Sequence, residues 1–314
     1  SGGSVASTGY CHPSIVNAIK REAGKLTHNC FVISSNPMTV QLAEKLKGIT
    51  PGDFDKKVWF GVSGSDANET VIKLLPRVTR RPRIISFMGA FHGMTMGALS
   101  LSGDRNLSKF TSLPNVVKVP YAYCYRCPFK LEYPQCGTHC VDFIEDYAFN
   151  TICPPEETSC LIVEPLQSDA GNIVPPDDFL PKLARLCKDY GLYMTVDEVK
   201  VCFGRTGRMF GIEHTGVKPD ILLLGKPMAS GLPLSACVAR TEILDSGFSH
   251  GFTTAANPIS SAAALATIDV IEKEHLAETA ARLGNRLKKR LEEMKEQYEM
   301  IGDVRGKGLI VGIE

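Results

Sequence analysis

The chain has 314 residues, 44% of them hydrophobic, and a formal net charge of +1. That length supports a large core and more than one lobe, while near-neutral charge gives no support for nucleic acid or an anionic membrane surface as a partner. No run of about twenty apolar residues is present to span a bilayer, no charged-then-apolar leader opens the chain, and 11 scattered cysteines suit reduced thiols in the cytoplasm better than a disulfide framework.

Residues 1–13 are small and turn-rich and read as a lead-in. Apolar spacing at Ile15, Val16 and Ile19 predicts a helix over 14–25 with Ser14 as N-cap, and Met38, Leu42, Ala43 and Leu46 repeat the pattern over 38–48. A short strand at 57–61 runs into Val62-Ser63-Gly64-Ser65-Asp66-Ala67-Asn68-Glu69, which turns helical. Ser63, Gly64 and Ser65 read either as an ordinary helix cap or as an anion cradle, because backbone N–H groups, the helix dipole and two hydroxyls all favour negative charge there. Pro76 is expected to end or kink this helix. A strand at 82–87 leads into Gly89-Ala90-Phe91-His92-Gly93. Phe91 can stack on a flat ring and His92 can add a hydrogen bond or a second stack; the plainer alternative is a packed loop aromatic beside a structural histidine.

Within 121–140, Cys124 and Cys127 form C-x2-C, Cys136 and Cys140 form C-x3-C, and His139 is adjacent. Such pairs either hold zinc or belong to a reduced, proline-bearing loop over a site, so no metal is assigned. A helix is expected over 141–154. A strand at 160–163 ends in Glu164, and the polar loop 166–171 carries Asp169, an acid–base group or an Asx turn. Asp177 and Asp178 are read as caps of a helix that precedes the strand at 191–199, which ends in Asp197 and Glu198. Residues 219–226, Pro-Asp-Ile-Leu-Leu-Leu-Gly-Lys, read as a buried strand ending in Lys226.

Taken alone, Lys226 reads as a lysine reaching solvent. Beside a second strand end that carries Asp197 it reads differently. An amine able to form a Schiff base and a carboxylate able to hold a pyridine nitrogen protonated are what pyridoxal phosphate requires. Strand and helix alternate from 58 to 226, which predicts an α/β fold, a three-layer α/β/α arrangement around a mainly parallel sheet. Sites in such sheets collect at the carboxyl ends of strands, where Ser63–Ser65, Phe91, Glu164, Asp169, Asp197 and Lys226 all fall. Beyond Lys226 come an apolar run at 234–239, a polar loop at 252–258, a helix at 259–272, a helix at 276–299 with one solvated charged face, and a strand-like unit from 302. The expected division is an N-terminal helical segment at 1–57, a large cofactor-binding domain at 58–260, and connecting helices at 261–314 that lead into a small C-terminal α/β domain, truncated here.

The motifs SGSDANE (63–69), GAFHG (89–93), EPLQSDAG (164–171), VDEVKVCFGRTGR (196–208), PDILLLGK (219–226) and FTTAANP (252–258), in this order, resemble the class III aminotransferases of the fold-type I pyridoxal phosphate enzymes. The resemblance covers nearly the whole chain. It implies that Lys226 is the Schiff-base lysine, that Asp197 pairs with the pyridine nitrogen, that Ser63, Gly64 and Ser65 bind the phosphate, and that Phe91 and Val199 lie on the two faces of the ring. It also implies that Thr253 reaches the phosphate of a neighbouring subunit, and hence a homodimer or homotetramer. His92, Glu164 and Lys200 complete the expected cofactor shell. The wording around Asp169 and of residues 225–236 is similar to the amino-acid racemases and 2-epimerases of the family. Typical transaminases of the family carry glutamate at the Asp169 position, glutamine at the Lys200 position and arginine at the Met94 position. The resemblance therefore implies a racemase or 2-epimerase working through a Cα carbanion, with Lys226 as base and Asp169 as second proton donor; an aminotransferase using the same cofactor is the alternative, and an inactive scaffold a remote one.

Overall fold

The structure is a computed structural model that describes residues 2–107, 109, 113–246 and 250–314; Ser1, at the start of the expected lead-in, lies outside them. Its elements in chain order are α1 (Pro13–Ala23), α2 (Pro37–Ile49), β1 (Lys56–Gly61), α3 (Gly64–Thr79), β2 (Arg83–Phe87), α4 (Met96–Leu101), β3 (Val116–Val119), α5 (His139–Phe143), α6 (Phe149–Thr151), β4 (Thr158–Val163), α7 (Phe179–Tyr190), β5 (Tyr193–Asp197), β6 (Ile221–Leu224), β7 (Ser235–Arg240), α8 (Thr241–Leu244), α9 (Pro258–Lys273), α10 (Leu276–Gln297), β8 (Val304–Lys307) and β9 (Ile310–Ile313).

Among the described residues, seven strands form one sheet in the order β1-β7-β6-β5-β4-β2-β3. The ladders from β6 through β5, β4 and β2 to β3 are parallel, and β7 runs antiparallel to both its neighbours. The central strands are apolar throughout because both faces are covered. Leu161 and Val163 of β4 and Leu222 and Leu224 of β6 join a core with Phe179 and Leu183 of α7 and Ile268 of α9. The alternate residues, Cys160 and Ile162, Ile221 and Leu223, join Val71, Leu74 and Leu75 of α3 on the opposite face. Period-two alternation thus feeds two helical layers, giving the expected three-layer α/β/α arrangement.

Three local expectations are corrected. Helix α1 is capped by His12, whose ring accepts from the Ser14 N–H, with Pro13 in the first turn; Ser14 lies inside the helix because proline at that position fixes its start. Helix α3 runs on through Pro76 to Thr79 and closes at Arg80 with φ 57°; buried Leu74 and Leu75 anchor that last turn to the core. The Asp178 side chain makes no cap bond at α7, where the Phe179 N–H goes to the Pro176 carbonyl at 3.1 Å. The strand-like unit from 302 is an antiparallel hairpin, β8–β9, which docks on the turn after β4 through Asn172 Nδ2 to the Val311 carbonyl at 2.8 Å and Arg305 Nε to the Gly171 carbonyl at 3.1 Å. No helix among the described residues is long and apolar enough to cross a membrane.

Candidate active site

The two central strands set the site. Asp197, the last residue of β5, pairs in register with Leu223 of β6, so Lys226, three residues further on, leaves the same edge of the sheet. Here the chain opens a cavity of about 410 Å³, within the range of roughly 300–1,000 Å³ typical of small-molecule sites. Its wall contains Ser63, Gly64, Ser65, Phe91, His92, Glu164, Asp169, Asp197, Val199, Lys200 and Lys226. Thr253 is exposed and is not in that wall.

Ser63 caps α3. Its hydroxyl accepts from the Asp66 N–H at 3.3 Å, and Asp66 Oδ2 in turn accepts from the N–H groups of Val62 and Ser63 at 2.9 and 3.0 Å. The N–H groups of Gly64 and Ser65 open the helix, where no intrahelical acceptor exists. Ser65 Oγ accepts from the Met94 N–H at 3.0 Å, which leaves the hydroxyl proton to donate. The cap reading therefore holds, with Asp66 closing the loop, and it leaves the N–H groups of the first turn free of intrahelical acceptors, as an anion would require.

Asp197 is 4% exposed and accepts three hydrogen bonds: from Asn68 Nδ2 at 2.9 Å, His92 Nδ1 at 2.7 Å and the Val199 N–H at 2.9 Å. His92 is a hydrogen-bond partner of the carboxylate, and its Nε2 is buried without a partner among the described residues. Asn68 was not singled out in the sequence; its signal was its place one helical turn after Gly64, whose carbonyl it also binds at 3.0 Å. Val5, within the expected lead-in, also lines the cavity, and Thr8 bonds Ser230 at 2.8 Å. The lead-in is part of the site because it folds back over the loop after Lys226.

Lys226 adopts φ 33°, a left-handed conformation that costs energy for a residue with a Cβ and is typical of functional positions. Its Nζ stands 5.8 Å from the centre of the Phe91 ring. Glu164 fixes the loops on either side, accepting from the Phe91 N–H at 3.0 Å and from the Ser168 N–H and hydroxyl at 3.2 and 3.1 Å. Burial pushes its carboxyl up to about 7, against the opposing influence of His92. Lys200 Nζ lies 3.5 Å from Asp169 Oδ1. Val199 sits between two glycines: a Cβ on Gly64 would meet Val199 Cγ1 at 2.6 Å, and one on Gly225 would meet it at 3.2 Å.

Over residues 1–314 the sequence matches the family described as aminotransferase class-III. The chain belongs to the class-III aminotransferase family. A leucine/methionine racemase from Thermococcus litoralis is 42% identical over an alignment 314 positions long, which covers 99% of this chain and 70% of that protein. An isoleucine 2-epimerase from Lentilactobacillus buchneri is 40% identical over 99% of this chain and 70% of its own length. Among solved structures, a pyridoxal phosphate-bound amine transaminase from an uncultivated Pseudomonas species superposes with a TM-score of 0.89 at 32% identity, covering 96% of this chain and 72% of that one. The chain is thus a fold-type I enzyme whose cofactor is pyridoxal 5'-phosphate. The cavity fits that cofactor: an anion-receptive helix start, a buried carboxylate with fixed partners, an aromatic ring and a lysine amine share one wall.

The four cysteines of 124–140 come together around a cavity of about 20 Å³, as free thiols. Among the described residues no three cysteine, histidine, aspartate or glutamate side chains are grouped to hold a metal ion. Burial raises the Cys140 thiol to about 12, the direction of an inert structural thiol.

Proposed function

We propose that this chain is an amino-acid racemase or 2-epimerase. One observation carries the reading: two groups able to transfer protons, Lys226 and Asp169, line the same cavity. The racemase and epimerase relatives, at 42% and 40% identity, support it. When bound, pyridoxal phosphate supplies a carbonyl for covalent attachment of the amino acid and a protonated ring that stabilises the charge left at Cα.

The chain's own groups do the rest. Ser63, Gly64 and Ser65 would hold the phosphate and Phe91 and Val199 the ring, with Glu164 bracing Phe91 and His92 bracing Asp197. Asp197, fixed by Asn68, His92 and the Val199 N–H, holds the proton on the ring nitrogen; Lys200 offers a donor to the ring oxygen. Lys226 would hold the cofactor, and its Nζ is the group that takes or returns a proton at Cα. Asp169 returns or takes one at its carboxylate from the other side. One proton leaves Cα and one arrives, so inversion needs neither oxidant nor second substrate. The position of Thr253 outside its own cavity supports a homodimer in which it serves the neighbour's phosphate. The 11 free cysteines support a cytoplasmic setting.

An aminotransferase is the second reading, favoured by the likeness to the amine transaminase. Incubation with L-isoleucine separates the two. Formation of D-allo-isoleucine without an added oxo acid, followed by chiral chromatography, is the expected result; amino transfer that depends on an oxo acid overturns it. Lys226→Ala is expected to abolish both activities. Asp169→Asn is expected to abolish epimerisation, and its retention in that variant would remove Asp169 from the mechanism.

A further inference from the structure

We propose that Lys200 is a positioning residue that holds the Asp169 carboxylate in the cavity, so that proton transfer on that side depends on the lysine. The proposal rests on the reading of Asp169 as the second proton-transfer group.

Asp169 occupies a turn whose backbone is fixed and whose side chain is not. The N–H groups of Gly171 and Asn172 close on the Ser168 carbonyl at 3.2 and 3.0 Å, and Glu164 holds Ser168 from below. Arg305 binds the Gly171 carbonyl, but its guanidinium is engaged by Asp303 and Glu314. The Asp169 side chain itself is 50% exposed, and among the described residues Lys200 is its one ion-pair partner, at 3.5 Å. A carboxylate on a short stem with that much exposure samples rotamers that face solvent as well as the cavity.

Lys200 is well placed to choose between them. Its backbone lies in a tight turn: the Val199 N–H donates to Asp197, and the N–H groups of Val201 and Cys202 both donate to the Glu198 carbonyl. Val199, its neighbour, is wedged against Gly64 and Gly225. The Lys200 side chain is 23% exposed and lines the cavity. The other basic groups in that wall have different partners: His92 is bonded to Asp197, and Lys226 stands by Phe91. A partly exposed pair of this kind adds little to folding stability, so its worth is geometric. An ammonium has three protons to donate, and holding Asp169 leaves donors for the ring oxygen.

The test uses Lys200→Met, Lys200→Arg and Asp169→Asn in the cofactor-loaded enzyme. Loss of the Cα proton into D2O is followed by NMR separately from the L and D enantiomers of one amino acid. In a two-base site each enantiomer gives its proton to a different group. Lys200→Met is expected to slow exchange from one enantiomer at least about tenfold more than from the other, because a misplacement near 1 Å can cost up to about 10²-fold; any slowing common to both reports the lost donor to the ring oxygen. Lys200→Arg is expected to restore most of the loss. A crystal structure of Lys200→Met is expected to show Asp169 turned to solvent. Equal slowing of both enantiomers, or no slowing, overturns the proposal, as does an Asp169 that keeps its place without the lysine. Lys200→Gln gives the same readings if the methionine variant does not fold. If Asp169→Asn spares exchange from both enantiomers, the assignment of Asp169 has failed and this proposal falls with it. If Asp169→Asn slows one enantiomer and Lys200→Met slows neither, only the proposal falls.

Discussion

His92 Nδ1 stands 2.7 Å from Asp197 Oδ2, with the histidine side chain fully buried and the aspartate nearly so. The imidazole donates to the carboxylate that faces the cofactor's ring nitrogen in the proposed function. Removing it leaves Asp197 with Asn68 and the Val199 N–H alone. A hydrogen bond to a charged group contributes about 1.5–3 kcal/mol, so His92→Phe is expected to weaken cofactor binding by roughly 10- to 150-fold. Absorbance titration of the apoenzyme with pyridoxal phosphate measures this, and an unchanged dissociation constant would break the link between the histidine and the cofactor.

Gly64 and Val199 make a second testable pair. A Cβ at Gly64 would come 2.6 Å from Val199 Cγ1, and a β-branched side chain has few rotamers into which to retreat. Gly64→Ala is expected to reduce cofactor affinity about tenfold, and Val199→Ala in the same chain to recover part of that loss, since contacting residues couple by about 0.5–3 kcal/mol. Additive effects in the double mutant would show that the contact does not matter.

Glu198 gives a pH dependence of stability. It is fully buried and accepts from the N–H groups of Gly211 and Ile212 at 2.9 and 2.6 Å. Burial outweighs those donors and pushes its carboxyl up to about 8. A raised carboxyl is protonated when folded and ionised when unfolded, so its stabilising contribution is complete below about 4.5 and is lost as pH rises through about 8. The stability difference between the native chain and Glu198→Gln is expected to fall by about 1.4 kcal/mol per pH unit over this window. Urea unfolding at pH 6, 7 and 8 reads the slope; a flat difference refutes it.

Thr253 tests the assembly. If it serves a neighbouring subunit, Thr253→Ala is expected to lower cofactor affinity by about tenfold, the loss of one hydrogen bond to a charged group. Activity per chain is expected to fall on dilution as the dimer separates. Sedimentation as a monomer with undiminished activity contradicts this.

Much of this site was legible before the fold. Local burial patterns marked the strands that end at Asp197 and Lys226, and turn chemistry marked the Ser63–Ser65 cap, because apolar periodicity and capping are encoded by neighbours in the chain. The misreadings were local too. Ser14 and Asp178 have the right side chains for caps, yet His12 and the Pro176 carbonyl satisfy those helix starts, and a core contact at Leu74 and Leu75 overrides the helix-breaking tendency of Pro76.

The sequence by itself determined which strand ends carry an amine, a carboxylate and an anion-receptive turn. Only the tertiary structure decided that these ends meet. Strand order places β5 beside β6, so that Asp197 registers with Leu223. Packing brings Asn68 and His92 onto Asp197 across separations of 129 and 105 residues. It also sets Val5 in the cavity wall, ties Thr8 to Ser230 and pairs Lys200 with Asp169. The physical reason is one of range: side-chain periodicity records only whether a residue is buried, whereas its partner is fixed by how distant segments stack to exclude water from one shared core.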